Sequence, residues 1–232
     1  MSYLLKLCAI PLIVALLFPL SAIASSQCYG SVSEGRIEDS VPLPGLGPNF
    51  SAYSTLAGLI GRTHVHSEVA NIVLEAYAAL EKSMPKTVFV YGETGWPWGG
   101  RFWPRRTHQN GLSVDFFVPV RNLNGESLAL PTGLLKRFGY DNEFDLEGRN
   151  PEYTIDFKAL AEHLYQLDVA AKKRNLGIDL VIFDTTYLPK LFATAHGDYL
   201  KTNLNFIKTQ PWIRHDEHYQ VDFKIPCKAL KD

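Results

Sequence analysis

Thr107-His-Gln-Asn-Gly-Leu-Ser-Val-Asp-Phe-Phe-Val-Pro-Val120 is the stretch on which the fold turns. Asn110-Gly111 at its centre is a strong two-residue hairpin signal, because both central positions of a type I′ turn take positive φ. With the turn placed there, Gln109 faces Leu112 and His108 faces Ser113. Strand side chains alternate, so Asp115 emerges on the same face as Ser113. The spacing therefore predicts His108 and Asp115 as diagonal neighbours on one sheet face, with Leu112, Val114, Phe116 and Val118 turned to a core on the other. An imidazole nitrogen and a carboxylate oxygen on one rigid hairpin are suitable zinc ligands. The same His-x6-Asp spacing also describes a structural hydrogen bond, so a third ligand has to decide between the two.

Outward from this stretch the chain alternates between strand and helix signals. Thr87-Val-Phe-Val-Tyr91 is β-branched and aromatic and predicts a strand. A glycine- and tryptophan-rich loop over 92–104 follows it. Ser67 is an expected N-cap for a helix to about Ser83, with Val69, Ile72, Val73, Ala76, Tyr77 and Leu80 on its apolar face and Pro85 beyond its end. A second helix is expected over 156–173, buried through Phe157, Leu160, Ala161, Leu164 and Ala171. Asn124-Gly125 is a turn signal, and residues 178–183 and 219–225 are expected strands. Residues 25–60, rich in Gly, Pro and Ser, are expected to be an ordered lead-in with little regular structure. The pattern predicts an α+β fold: a single domain with a mainly antiparallel sheet flanked by helices.

A chain of 232 residues with a formal net charge of −1 is long enough for one well-buried core. It lacks the basic excess of a nucleic-acid binder. Lys6, the uncharged apolar run 7–20 and the Ala22-Ile-Ala24 pattern predict a secretory signal peptide over 1–24, with the working domain over 25–232. The run is shorter than the roughly 20 residues of a membrane span, so no stable span is expected after cleavage. Export would place the domain in the periplasm. Cleavage removes Cys8 and leaves Cys28 and Cys227, one near each end, which in an oxidising compartment are expected to form a disulfide. Closing so long a loop contributes on the order of 4 kcal/mol.

Arg214-His-Asp-Glu-His-Tyr-Gln-Val-Asp-Phe223 is the second informative cluster. In a strand, His218, Gln220 and Asp222 share one face, and Tyr219, Val221 and Phe223 the other. Two histidines, an Asp and a Glu within four residues suggest a base working beside a metal ligand. A solvated, polar strand entry has the same composition.

At this point the chain resembles the penicillin-insensitive murein endopeptidases, within the wider group of lysostaphin-type, D-Ala-D-Ala and hedgehog-type zinc peptidases. The resemblance rests on His108-x6-Asp115 and, far downstream, His215-Asp-Glu-His218-Tyr-Gln220. It extends in order through Gly35-Arg-Ile-Glu-Asp-Ser-Val-Pro-Leu-Pro44, Gly47-Pro-Asn-Phe50, Gly99-Gly100 and Thr107-His-Gln-Asn-Gly111. It implies a hedgehog/D-Ala-D-Ala-peptidase-like fold and a Zn2+ ion held by His108, Asp115 and the residue at position 220. It implies His218 as the catalytic histidine, His215 as a further active-site histidine and Glu217 at the spacing of a general base. It also implies peptidoglycan peptide cross-links as substrate.

The chain departs from that pattern at Gln220, where the resemblance implies a histidine. Zinc favours imidazole, thiolate and carboxylate over a neutral amide. Three readings follow: a weakened or inactive copy that recognises cell-wall peptides without cutting them, His218 acting as third ligand in place of Gln220, or an amide ligand that supports slow turnover. A D-Ala-D-Ala-type carboxypeptidase or dipeptidase is a further alternative. Arg101 and Arg106, with Arg105 between them, lie just ahead of His108 and are candidates to hold a substrate carboxylate. Trp96, Trp98 and Trp103 are candidate groove walls.

Overall fold

The computed structural model describes residues 25–211 and 215–230. The expected signal peptide over 1–24, with Cys8, lies outside the described residues, as does Arg214. In chain order the elements are β1 (Gln27–Gly30), β2 (Gly35–Glu38), β3 (Val41–Pro42), β4 (Phe50–Ala52), α1 (Thr55–Leu59), β5 (His64–Val65), α2 (Ser67–Ser83), β6 (Phe89–Tyr91), β7 (Ser113–Phe117), β8 (Val120–Asn122), β9 (Ser127–Leu128), β10 (Tyr153–Ile155), α3 (Phe157–Lys173), β11 (Gly177–Ile182), α4 (Leu188–Phe192), α5 (Gly197–Asn203) and β12 (His218–Lys224). The main sheet runs β11-β12-β7-β6-β4 and is antiparallel except for the β4–β6 pair. The fold is α+β, as the sequence pattern predicts.

Both long helices form where their apolar periodicity lies. α2 buries Val69, Ile72, Val73, Ala76, Tyr77 and Leu80. Its cap is His66, whose Nδ1 accepts from the Glu68 N–H at 3.1 Å. The expected cap, Ser67, is instead the first helical residue, and it exchanges two hydrogen bonds with Ser26. α3 is capped by Asp156, which accepts from the Ala159 N–H, and it buries Leu160, Ala161, Leu164 and Ala171. Asn124-Gly125 forms the expected turn between β8 and β9, with Gly125 at φ +81°.

Two further expectations fail. The lead-in carries regular structure: β1 and β2 pair as a hairpin, and β4 and α1 follow. β1 is also tied to the far end of the chain by the Cys28–Cys227 disulfide and by Lys228, which bonds Cys28 and Gly30 through its backbone. The hairpin at Asn110-Gly111 does not form. Gly111 takes φ +76°, but the other left-handed residue of the stretch is His108, at φ +68°, so the paired positive φ of a type I′ turn is missing. The backbone here bonds outward instead: Gln109 N–H to Val32 O, Gly100 N–H to Gln109 O, and His66 N–H to Gly111 O. Gly111 is required by this close approach, since a Cβ would stand 2.9 Å from the His66 nitrogen. The partners of β7 are β12 and β6.

The β7–β12 register pairs Ser113 with Asp222, Asp115 with Gln220, and Phe117 with His218. Between them, Val114 and Phe116 lie with Tyr219 and Val221 against the long helices. Phe116 meets the Tyr77 ring of α2 and the His163 ring of α3 edge-on. The opposite face, which in a two-layer fold would meet water, is covered by the loop over 92–111 and by the segment around Tyr140. All five residues of β7 are consequently buried.

Candidate metal centre

Asp115 sits in the middle of the sheet, held through its backbone by the segment that follows β6: its N–H donates to Glu93 O and its C=O accepts from Gly92 N–H. His108 reaches it from the preceding loop. Its Nδ1 lies 3.0 Å from the Thr94 carbonyl, which can only accept, so Nδ1 carries a hydrogen and Nε2 faces Asp115. The Nε2–Oδ1 distance is 3.2 Å, with the two side chains 0% and 1% exposed. Both atoms are nevertheless without an aligned hydrogen-bond partner.

Buried polar atoms are rarely left so, and the pair fits a shared cation. Two ligands about 2.0–2.1 Å from one tetrahedral zinc lie about 3.3 Å apart. The outer atoms are locked as metal ligands usually are: Asp115 Oδ2 accepts from the Tyr140 hydroxyl at 3.0 Å. Burial opposes the Asp115 charge, but His108 and Arg105 outweigh it and hold the carboxyl well below the usual range. Burial likewise lowers His108, and the Asp115 carboxylate more than reverses this. Each of the two groups thus favours the charged form of the other.

Gln220 faces Asp115 across the strands, on the face that the alternation gives it with His218, but both ends of its amide are engaged. Nε2 donates to Asp222 Oδ1 at 2.7 Å, and Oε1 accepts from the Thr107 hydroxyl at 3.1 Å. Asp222 Oδ1 also accepts from Ser113 at 2.6 Å. Among the described residues, no three His, Cys, Asp or Glu side chains come together as a metal cluster. His108 and Asp115 are two side chains that could hold an ion, and the position opposite them holds a neutral amide.

His218 is fully buried, with Nδ1 2.9 Å from Glu217 Oε1 and Nε2 lacking a hydrogen-bond partner. Burial pushes its pKa down to about 4. Its ring meets Tyr140 edge-on and lies 4.4 Å from that of His215. Glu217 is pushed up to about 10, first by burial and then by its hydrogen bond with Asp216. Glu217 stands beside His218, its Oε1 against the ring's Nδ1.

The arginines divide differently from expectation. Arg101 and Arg106 lie on exposed positions of the loop, and it is Arg105 that turns inward. Arg105 donates to Glu93 Oε2 at 3.0 Å, lies 3.7 Å from Asp115 Oδ2 and stacks over the Tyr140 ring. Trp96 and Trp98 stack on each other. Trp103 borders a cavity of about 310 Å³ shared with Tyr53, Ile60, Arg62, Glu93 and Phe138. The other histidines are placed elsewhere: His64 on Ser40, His66 at a helix cap, His163 in the core and His196 on Glu162. Thr94, Thr107 and Tyr140 had no spacing signal that could have revealed them. Asp222 did have one, in its alternation with His218 and Gln220.

A scan of the sequence against protein-family models finds no match, and neither does a search of curated proteins.

Proposed function

We propose that this chain is a peptidoglycan endopeptidase of the zinc-metallopeptidase type, directed at peptide cross-links and attenuated by Gln220. The observation that carries this reading is the His108–Asp115 pair, two buried ligand atoms 3.2 Å apart with no aligned hydrogen bond. An ion held there supplies water activation and carbonyl polarisation. His218, oriented through Nδ1 by Glu217, presents Nε2 as the atom that takes a proton from the attacking water and returns it to the leaving amine. His215 packs against that ring. Support for the substrate is the resemblance of the motifs over 35–50, 99–111 and 215–220 to the murein endopeptidases, which points to D-alanyl–diaminopimelate or diaminopimelate–diaminopimelate bonds. Support for a periplasmic location is the leader-like sequence over 1–24 together with a disulfide closing 199 residues.

A second reading, binding of cell-wall peptides without cleavage, is favoured by the amide of Gln220 being bonded at both ends. The mature protein and a Gln220→His variant, incubated with cross-linked muropeptide dimers with zinc and with chelator, separate the two. The endopeptidase reading expects slow, chelator-sensitive release of monomers, rising at least about tenfold in the variant. Release by the variant alone supports the binding reading, and release by neither contradicts the substrate assignment.

A further inference from the structure

Besides His108, Asp115 meets a network of two arginines and Glu93. Glu93 accepts from Arg62 Nε at 2.9 Å through Oε1 and from Arg105 Nε at 3.0 Å through Oε2. Arg105 extends Nη2 to within 3.7 Å of Asp115 Oδ2, and its side chain is only 14% exposed. The guanidinium is fixed over the Tyr140 ring, 4.2 Å from its centroid, while the Tyr140 hydroxyl donates to the same Asp115 oxygen. Two carboxylates and two guanidiniums therefore balance within one ion-paired network. A buried carboxylate with no countercharge is costly. Here the countercharge is built into the chain.

We propose that Arg105, held by Glu93 and seated on Tyr140, is a resident counter-cation for Asp115. The centre is thereby charge-balanced without a divalent ion and binds one weakly and reversibly. This inference rests on the metal-centre reading above and adds a second cause, besides Gln220, for weak occupancy. A unit charge within about 4–6 Å of an ionisable group shifts its equilibrium by about one to three powers of ten. A divalent ion beside Asp115 meets Arg105 at comparable range.

The test is zinc affinity of the mature protein by competition with a chromophoric chelator, for wild type, Arg105→Gln, Arg105→Lys and Gln220→His, with thermal melting in zinc and in excess chelator. We expect Arg105→Gln to bind zinc at least about tenfold more tightly than wild type and Arg105→Lys, which keeps the charge, to stay within about threefold. Wild type is expected to melt cooperatively in chelator within about 2 °C of its value in zinc. This arm needs no variant to fold. Zinc binding by Arg105→Gln no tighter than wild type, or a wild type that loses its cooperative melt in chelator, overturns the counter-cation. If Gln220→His also fails to bind zinc, the metal-centre reading falls with it. If Gln220→His binds zinc, that reading stands alone.

Discussion

The two faces of the β7–β12 pair are both buried and are held by opposite physics. On one, Val114, Phe116, Tyr219, Val221 and Phe223 meet α2 and α3, all at most 2% exposed, and apolar area removed from water supplies the stabilisation. On the other, Ser113, Asp115, His218, Gln220 and Asp222 are at most 5% exposed and are tolerated only because loops bring them partners. The first face rests chiefly on shape, with one buried hydrogen bond between Tyr219 and His163. The second needs each donor and acceptor met, and atoms on His108, Asp115 and His218 are left unmet there, which is what motivates the proposed metal centre.

The largest expected effect breaks the apolar face. Phe116→Ala removes a ring packed on Tyr77, His163 and Tyr219 and should cost about 3–5 kcal/mol in denaturant unfolding. On the polar face, Asp222→Ala strands the buried donors of Ser113 and Gln220 and should cost about 2–3 kcal/mol. Because Asp222 fixes the amide, the same change should also free the Gln220 side chain to reorient, visible in its side-chain NMR signals. Smaller still, Tyr219→Phe removes only the hydroxyl bonded to His163 and should cost about 1 kcal/mol.

The apolar face also carries a pH signature. Burial pushes His163 down to about 3, below the usual value of about 6.5 in an unfolded chain. Between those values the unfolded state binds the extra proton, so stability is full above about pH 6.5 and falls as pH drops toward 3. His163→Phe should flatten that acid limb in urea melts at stepped pH. An unchanged limb would assign the acid sensitivity to the polar face.

How much of this was legible in sequence follows the same division. Strand alternation identified the residues of both faces, and helical periodicity located α2 and α3, because each reflects a repeating contact with one core. The disulfide followed from compartment and count. The loops could not be read this way. Asn110-Gly111 has a local turn preference that hydrogen bonds to Val32 and His66 override, yet His108 still reaches Asp115 by another route. Among Arg101, Arg105 and Arg106 an irregular loop has no period to say which turns inward. Tyr140 approaches Asp115 from 25 residues away, and its distance along the chain encodes nothing. β1 and β4, short and set among Gly and Pro, are stabilised by partners distant in sequence rather than by their own propensity.

The measurement that bears most directly on the polar face is zinc titration of Gln220→His beside the double variant Gln220→His, Asp115→Asn, followed by calorimetry. A ligand pair at His108 and Asp115 predicts one ion bound by the first protein, more tightly than by wild type, and affinity lost by at least about tenfold in the second. Equal binding by both proteins would contradict it, and would leave the buried pair as a structural contact.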